Sequence, residues 1–322
     1  MDNTGFALPA DVALDAALRQ LFVAAHPGTD GVALVARRRN AYMSSSPSEV
    51  VTLRLAADEL RDFLVKYDRE AKDPPPTCRH GVEYCAAVYA HLVSGMPLPH
   101  LRAVGTFQAG ARGRQALVIE YLDHSLRVGE APEVSGILTA AEWCGAFHRW
   151  SQTVRDDARL TFLVRYDEAF YSSWADRLIA VCAAVGLQPT WLASLRTAAR
   201  AMSHDLAAAT TTVIHGEMSP QNVLWREGEI FPIDWESAAV GPGEIDLAAL
   251  LFGWPPETVE RCIAAYWQAR NMPVPDGFAR RWQAATLYTA LRWLPLPIGP
   301  ADPRFDLALD RVGTVVSGPG SG

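Results

Sequence analysis

Residues 211–236 leave this chain few ways to fold, because they alternate apolar strand fragments with acids and an amide at fixed spacing. The stretch runs Val213-Ile214-His215-Gly216-Glu217-Met218-Ser219-Pro220-Gln221-Asn222-Val223-Leu224 and is followed by Phe231-Pro232-Ile233-Asp234-Trp235-Glu236. Thr211 to Ile214 is β-branched and apolar, as a buried strand requires. His-Gly-Glu breaks it, and Asn222 resumes an extended pattern. Glu227-Gly228 turns the chain, and Ile230 to Ile233 returns as the second arm of a hairpin. Such a unit can hold a carboxylate (Glu217), an amide oxygen (Asn222) and a second carboxylate (Asp234) at one edge of a cleft. A carboxylate to position a hydroxyl, with Asn and Asp to hold magnesium, is a set suited to phosphoryl transfer from ATP.

The spacing resembles the His-x-Asp-x-x-x-x-Asn loop and later metal Asp of kinase-like folds. In its His-Gly-acid form it resembles the aminoglycoside phosphotransferase family and its choline-kinase-like relatives. Glu217 and Asn222 are five apart, as Asp and Asn are in that loop, and Asp234 follows Asn222 by twelve. The departure is Glu217, where the family's usual residue is Asp. The resemblance spans about Asp30 to Trp293, and its centre is the specific part. It implies an α+β, two-lobed protein-kinase-like fold: a small antiparallel-sheet N-lobe with a helix, and a mostly helical C-lobe. It also implies a nucleotide-binding lobe over 1–120 and a catalytic and substrate-binding lobe over 121–322.

The rest of the chain suits that frame. Its 322 residues are enough for two lobes. The net charge of −7 argues against nucleic acid as a main partner. No apolar run reaches transmembrane length, so no membrane partner is expected. Met1-Asp2-Asn3-Thr4 lacks a basic region followed by an apolar one, so no signal peptide is expected. Five irregularly spaced Cys suit a reducing cytoplasm. Oligomeric state is not legible.

Along the chain, Pro9 to Ala25 reads as an amphipathic helix with Leu14, Leu18, Leu21 and Phe22 on one face. Strands are expected over Gly31–Ala36, Glu49–Leu55, Asp62–Tyr67, Leu101–Gln108 and Gln115–Glu120, with a helix over Gly81–Leu92. Arg37-Arg38-Arg39-Asn40 marks the end of the first strand. Beyond Asp123 the pattern is helical: Thr139–Gln152, Tyr166–Val185, Pro189–Ala208, Ile245–Gly253, Pro256–Asn271 and Gly277–Leu294. The Gly-, Pro- and Ser-rich tail from Ser317 is expected to fray.

Several residues have two readings. Lys66 is either a strand-end lysine reaching for water or, by the resemblance, the lysine that clamps ATP phosphates. The resemblance then makes Glu83, seventeen residues on in the next helix, its partner. The loop between the first two strands carries no glycine between Asn40 and Glu49, so Ser44, Ser45 and Ser46 are its candidate phosphate contacts. Glu120-Tyr121-Leu122 reads as an inter-lobe linker, or as the hinge whose backbone at Glu120 and Leu122 meets adenine. His215 has the reference pKa of a base, whereas the resemblance makes it a brace of the catalytic loop. Asp246 is a helix N-terminal carboxylate that the resemblance makes an anchor for that loop. Glu236 is either a supporting acid or a surface charge. Cys78, His80 and Cys85 do not make a convincing zinc set, having three ligands and no Cys-x-x-Cys pair.

Five of the ten tryptophans lie from Trp235 onward, mostly as expected core, with one or two available to stack on an acceptor. The acidic excess there is too slight for a polycationic ligand. The sequence therefore points to an ATP- and magnesium-dependent phosphotransferase acting on a hydroxyl of a small molecule. The rival is a catalytically silent binder of the same fold. A protein kinase fits poorly: Gly216 stands where that family has Arg, and no Ala-Pro-Glu follows Asp234.

Overall fold

The computed structural model describes residues 8–26, 31–40, 46–56, 59–68, 80–110, 113–131, 134–294, 302 and 305–317. Two compact units emerge: residues 1–126 with 231–237, and residues 127–230 with 238–322. The hairpin after the central loop thus lends its last residues to the first unit.

The first unit is built from α1 (Asp11–Ala25), β1 (Ala33–Arg39), β2 (Ser48–Ala56), β3 (Glu59–Tyr67), α2 (Val82–His91), β4 (Ala103–Ala109) and β5 (Arg114–Glu120). The strands form one antiparallel sheet in the order β1-β2-β3-β5-β4. Alternation sorts their side chains between two faces. Val51, Leu53, Phe63, Val65, Tyr67, Ala116 and Val118 meet Leu14, Leu18 and Phe22 of α1 in one core. Lys66 and its cross-strand partner Leu117 fall on the opposite face. Gly105 is needed where α1 crosses β4. Its φ of 148° accompanies a register shift, and a Cβ there would strike the Leu21 side chain.

β1 extends past its expected end. Arg37 and Arg38 stay in the strand because each finds an acid on the same sheet, Arg37 on adjacent β2 and Arg38 one strand further, on β3. Arg37 Nε and Nη2 donate to Glu49 at 2.7 and 2.8 Å, and Arg38 donates to Asp62 at 2.8 and 3.0 Å. Glu49 is buried and also accepts from the Tyr67 hydroxyl at 2.6 Å. Arg37 reaches on to the Pro9 carbonyl and the Asp11 carboxylate, so this network ties the start of α1 to the sheet.

The second unit opens near β6 (Leu126–Arg127) and continues with α3 (Ser135–Val154), β7 (Val164–Arg165), α4 (Glu168–Val185), α5 (Leu192–Ala207) and β8 (Thr211–Ile214). Then come β9 (Val223–Arg226), β10 (Glu229–Pro232), β11 (Ala239–Pro242), α6 (Glu244–Leu251), α7 (Pro256–Arg270), α8 (Phe278–Arg292) and α9 (Phe305–Ser317). Asp167 starts α4 two residues later than the periodicity suggests, by accepting from the Phe170 N–H at 2.7 Å. Positive φ at Glu227 and Gly228 closes the expected β9–β10 hairpin in two residues. Gly145 lets α3 approach α7, since a Cβ there would run into the Tyr266 carbonyl. β8 and β11 pair antiparallel, Ile214 opposite Ala239. β6, β7, β11 and α9 are additions to the sequence reading. The tail beyond Ser317 lies outside the described residues.

Arg37→Ala should destabilise the protein by roughly 2–3 kcal/mol, near the lower end for breaking a buried pair, because Arg37 keeps partial exposure. The double variant Arg37→Met/Glu49→Leu should recover part of that loss, since no unpaired carboxylate stays buried. Urea denaturation of the parent and both variants reads the difference.

Candidate active site

In the first unit the site is a buried cation. Lys66 Nζ donates to Asp234 Oδ1 and Glu236 Oε2, each at 2.9 Å, across 168 and 170 residues of chain. The Lys66 side chain is 2% exposed, Glu236 5% and Asp234 28%. Burial works against the charged amine, but the two carboxylates outweigh it and hold the Lys66 pKa above the ordinary lysine range. Asp234 adopts a left-handed φ of 64°, uncommon for a residue with a Cβ. The Glu236 carbonyl accepts from the His80 N–H at 2.9 Å. Cys85 lies close to Trp235 and Lys66, and burial pushes its thiol up to about 12.

The pairing of Lys66 with Glu83 is not what the structure contains. Glu83 is exposed on α2 and makes no ion pair among the described residues. Val82, Cys85, Val88 and Tyr89 take the buried face of that helix, so Glu83, one residue round from Val82, points elsewhere. Ser44 and Ser45 lie outside the described residues, while Ser46 is buried. The Glu120 carboxylate accepts from the Arg102 N–H at 2.9 Å, and the Leu122 carbonyl accepts from the Ser125 hydroxyl. Cys78 also falls outside the described residues. The described cysteines are buried and free of disulfides.

In the second unit β8 delivers the loop that begins at His215. The Asp246 carboxylate accepts from the N–H groups of His215 at 2.6 Å and Gly216 at 2.8 Å. Gly216 has φ 78°, so glycine is the residue that turns there at no steric cost. His215 Nδ1 accepts from the Glu217 N–H at 3.3 Å, which makes it a brace. The Glu217 carbonyl accepts from the Ser219 N–H at 2.7 Å and from the Asn222 amide at 3.0 Å. The Asn222 amide nitrogen therefore faces back into the loop. Glu217 is 8% exposed, and its Oε2 is 3.8 Å from Arg292 Nη2, on the last residue of α8.

Behind the loop a second row of side chains secures Asp246. His148 Nε2 is 3.1 Å from Asp246, its Nδ1 is 2.9 Å from the Tyr266 hydroxyl, and Arg270 donates to that hydroxyl at 2.9 Å. One proton order satisfies all three contacts: Arg270 to Tyr266, Tyr266 to His148, His148 to Asp246. Burial lowers the His148 pKa, so the ring is neutral near pH 7. Burial alone would raise Asp246, but the bonds from His148 and the loop amides hold it below the usual carboxylate range. Cys144 sits 3.8 and 4.0 Å from the His148 nitrogens, and burial keeps its thiol protonated. Cys144, His148 and Asp246 thus form a brace whose ring nitrogens and carboxylate oxygens are already engaged.

A model of the phosphotransferase enzyme family matches residues 46–283, which contain Lys66, the 215–222 loop, Asp234, Glu236 and the Asp246 brace; Arg292 lies beyond the match. The chain belongs to the phosphotransferase enzyme family. No curated protein matches the sequence. Solved structures resemble it over nearly its whole length at low identity. The GDP complex of wild-type aminoglycoside 2′-phosphotransferase-IIIa is 11% identical, with 94% of this chain and 98% of that one covered and a TM-score of 0.64. The macrolide 2′-phosphotransferase MphH apoenzyme from Brachybacterium faecium is 17% identical, covering 94% and 98%, with a TM-score of 0.63. A thermostable mutant of aminoglycoside phosphotransferase APH(4)-Ia, in ternary complex with ADP and hygromycin B, is 17% identical, covering 96% and 99%, with a TM-score of 0.61. These likenesses carry the fold, which is kinase-like: an antiparallel-sheet unit with a helix, and a mostly helical unit.

For a phosphotransferase, the donor chemistry here fits magnesium. Asp234 is a partly exposed carboxylate, and the Asn222 amide nitrogen is engaged by the Glu217 carbonyl. Both side chains carry hard oxygen donors. Sequence reasoning missed the His148-Tyr266-Arg270 row. The one signal available was an apolar helix carrying a buried His, which usually marks only a satisfied core residue. No helix among the described residues is long and apolar enough to cross a membrane.

The brace has a pH signature. The unfolded chain binds a proton at His148 near pH 6.5, and the folded chain only at lower pH. Its contribution is therefore complete above pH 6.5 and is lost as pH falls toward the folded value. One such proton gives a slope of about 1.4 kcal/mol per pH unit. His80, half-buried and also lowered by burial, adds in the same direction. Stability measured by urea at pH 7.5 and 5.5 should fall for the parent, and fall less for His148→Gln.

Proposed function

We propose that this phosphotransferase moves the γ-phosphoryl group of ATP, with magnesium, to a hydroxyl of a small molecule. The observation that carries the reading is the buried Lys66 held by Asp234, in a chain whose family is one of phosphotransferases. In this reading residues 1–120 are the nucleotide lobe and 121–322 the catalytic and acceptor lobe. Lys66 donates to phosphate oxygens. The backbone at Glu120 and Leu122 meets the base, and Ser45 meets phosphate. Asn222 and Asp234 are the magnesium ligands. Magnesium, when bound, would withdraw charge from the phosphate oxygens.

Glu217 receives the acceptor hydroxyl and takes its proton as the acceptor oxygen bonds to phosphorus and the bond to ADP breaks. Phosphoryl transfer has a loose transition state in most analyses, so the carboxylate positions more than it deprotonates. The acceptor is a neutral or aromatic hydroxylated compound. What supports this is the Arg292 guanidinium beside Glu217, with half-buried Trp293, the next residue, packed edge-on to Phe252 at 4.8 Å. A polycation would meet Arg292 unfavourably. The neighbours named for aminoglycoside and macrolide transfer share the fold, while this acceptor preference comes from residues of this chain.

Magnesium-ATP should raise the melting temperature, because a ligand bound only by the native state stabilises it. Asp234→Ala should remove the magnesium-dependent part of the shift. The absence of any shift at millimolar nucleotide would refute nucleotide use. Glu217→Gln should keep magnesium-ATP affinity and lower acceptor turnover about a hundredfold or more. Equal turnover by Glu217→Gln would remove Glu217 from the chemistry. Turnover of kanamycin-like compounds but of no neutral glycoside would overturn the acceptor class.

A further inference from the structure

We infer that Glu236 is the residue that positions the phosphate-clamping lysine of this protein, the task that the family resemblance gives to Glu83. The inference rests on the nucleotide role proposed for Lys66. Glu236 is nine-tenths buried, and its Oε2 lies 2.9 Å from Nζ. Glu83 instead faces a cavity of ≈ 500 Å³ between α2 and β4–β5, together with His100, Arg102 and Gln115. The α2 face beside Lys66 is filled by Cys85, an uncharged thiol. A carboxylate is still required, because an ammonium this deeply buried needs a paired charge.

The segment carrying Glu236 is built for that duty. Its backbone is fixed at His80, whose N–H donates to the Glu236 carbonyl, and the His80 ring packs on Tyr84 of α2 at 4.2 Å. Trp235 is fully buried and donates through Nε1 to the Pro232 carbonyl at 3.3 Å. Helix α2 therefore supplies packing for the anchor in place of the anchor itself. The two carboxylates have different duties. Asp234 is the more exposed of the pair, at 28% against 5%, and can turn to a metal, while the Glu236 carboxylate is buried against the lysine. An ammonium has three donors. Two serve these acids among the described residues, and the third remains for a phosphate oxygen.

Calorimetry of the full chain with magnesium-ATP and, separately, with adenosine tests this. Glu83→Gln should bind magnesium-ATP within about twofold of the parent, and Glu236→Gln should bind it about tenfold or more weakly, as expected when a charge-assisted contact loses its anchor. Glu236→Asp should recover part of the loss. In a Lys66→Met background Glu236→Gln should add nothing. Adenosine, which lacks phosphates, should bind the parent and all variants alike. Circular dichroism reports whether each is folded. If Glu236→Gln does not fold, Glu236→Asp and Lys66→Met/Glu236→Gln carry the comparison. The inference is overturned if Glu83→Gln weakens magnesium-ATP as Lys66→Met does. It is equally overturned if Glu236→Gln weakens adenosine as much as ATP, or acts undiminished beside Lys66→Met. A parent that binds adenosine and magnesium-ATP with equal affinity removes the phosphate clamp itself, which separates failure of the nucleotide reading from failure of the Glu236 assignment.

Discussion

A buried ammonium must be paired, and that requirement shapes the first unit. Lys66 cannot remain charged on the inner face of β3 without acids from elsewhere, since the cost of an isolated buried ion exceeds what packing returns. Its partners come from residues 234 and 236, so 231–237 belong with the sheet rather than with the chain on either side. Asp234 adopts a left-handed backbone conformation there, which brings its carboxylate to the lysine while Trp235 fills the core and Glu236 follows. Strain of this kind persists where surroundings over-determine it.

The second unit obeys the same rule with the sign reversed. Asp246 is a wholly buried carboxylate, and its two oxygens are answered by two loop amides and a histidine. Those amides belong to His215 and Gly216, so satisfying the acid fixes the backbone immediately before Glu217. Tyr266 and Arg270 of α7 then make the brace a property of helix packing, which Gly145 permits by letting α3 and α7 come close. A loop held by buried charge has little freedom to slip.

Local chemistry was legible in the sequence, and partner choice was not. The strand before His215, the Glu227-Gly228 turn and the alternation of β2, β3 and β5 depend on near neighbours, and they form as expected. The partner of Lys66 depends on which way α2 is rotated. That rotation is set by Val82, Cys85, Val88 and Tyr89 seeking burial, and a spacing of seventeen residues says nothing about it. Arg37 and Arg38 misled for a similar reason: charged residues end a strand unless acids elsewhere on the sheet come within reach, and Glu49 of β2 and Asp62 of β3 do. The His148 row joins residues about a hundred positions apart, beyond the reach of any local pattern.

The longer acid at position 217 follows from these constraints. Glu has one more methylene than Asp, and a misplacement of about 1 Å can cost on the order of a hundredfold in rate. The backbone cannot drift to absorb it freely, because the Glu217 carbonyl is held by Ser219 and Asn222 and its N–H by His215. Pro220 further restricts Ser219. What remains adjustable is the side chain, and Arg292 limits that, with its guanidinium 3.8 Å from the carboxylate and itself nearly buried. The held loop backbone on one side and the Arg292 guanidinium on the other therefore bound where the Glu217 carboxylate sits. An acid restrained at both ends can serve as a positioning group despite its added length, whereas a loose Glu would lose in rotamer entropy what it offered in charge.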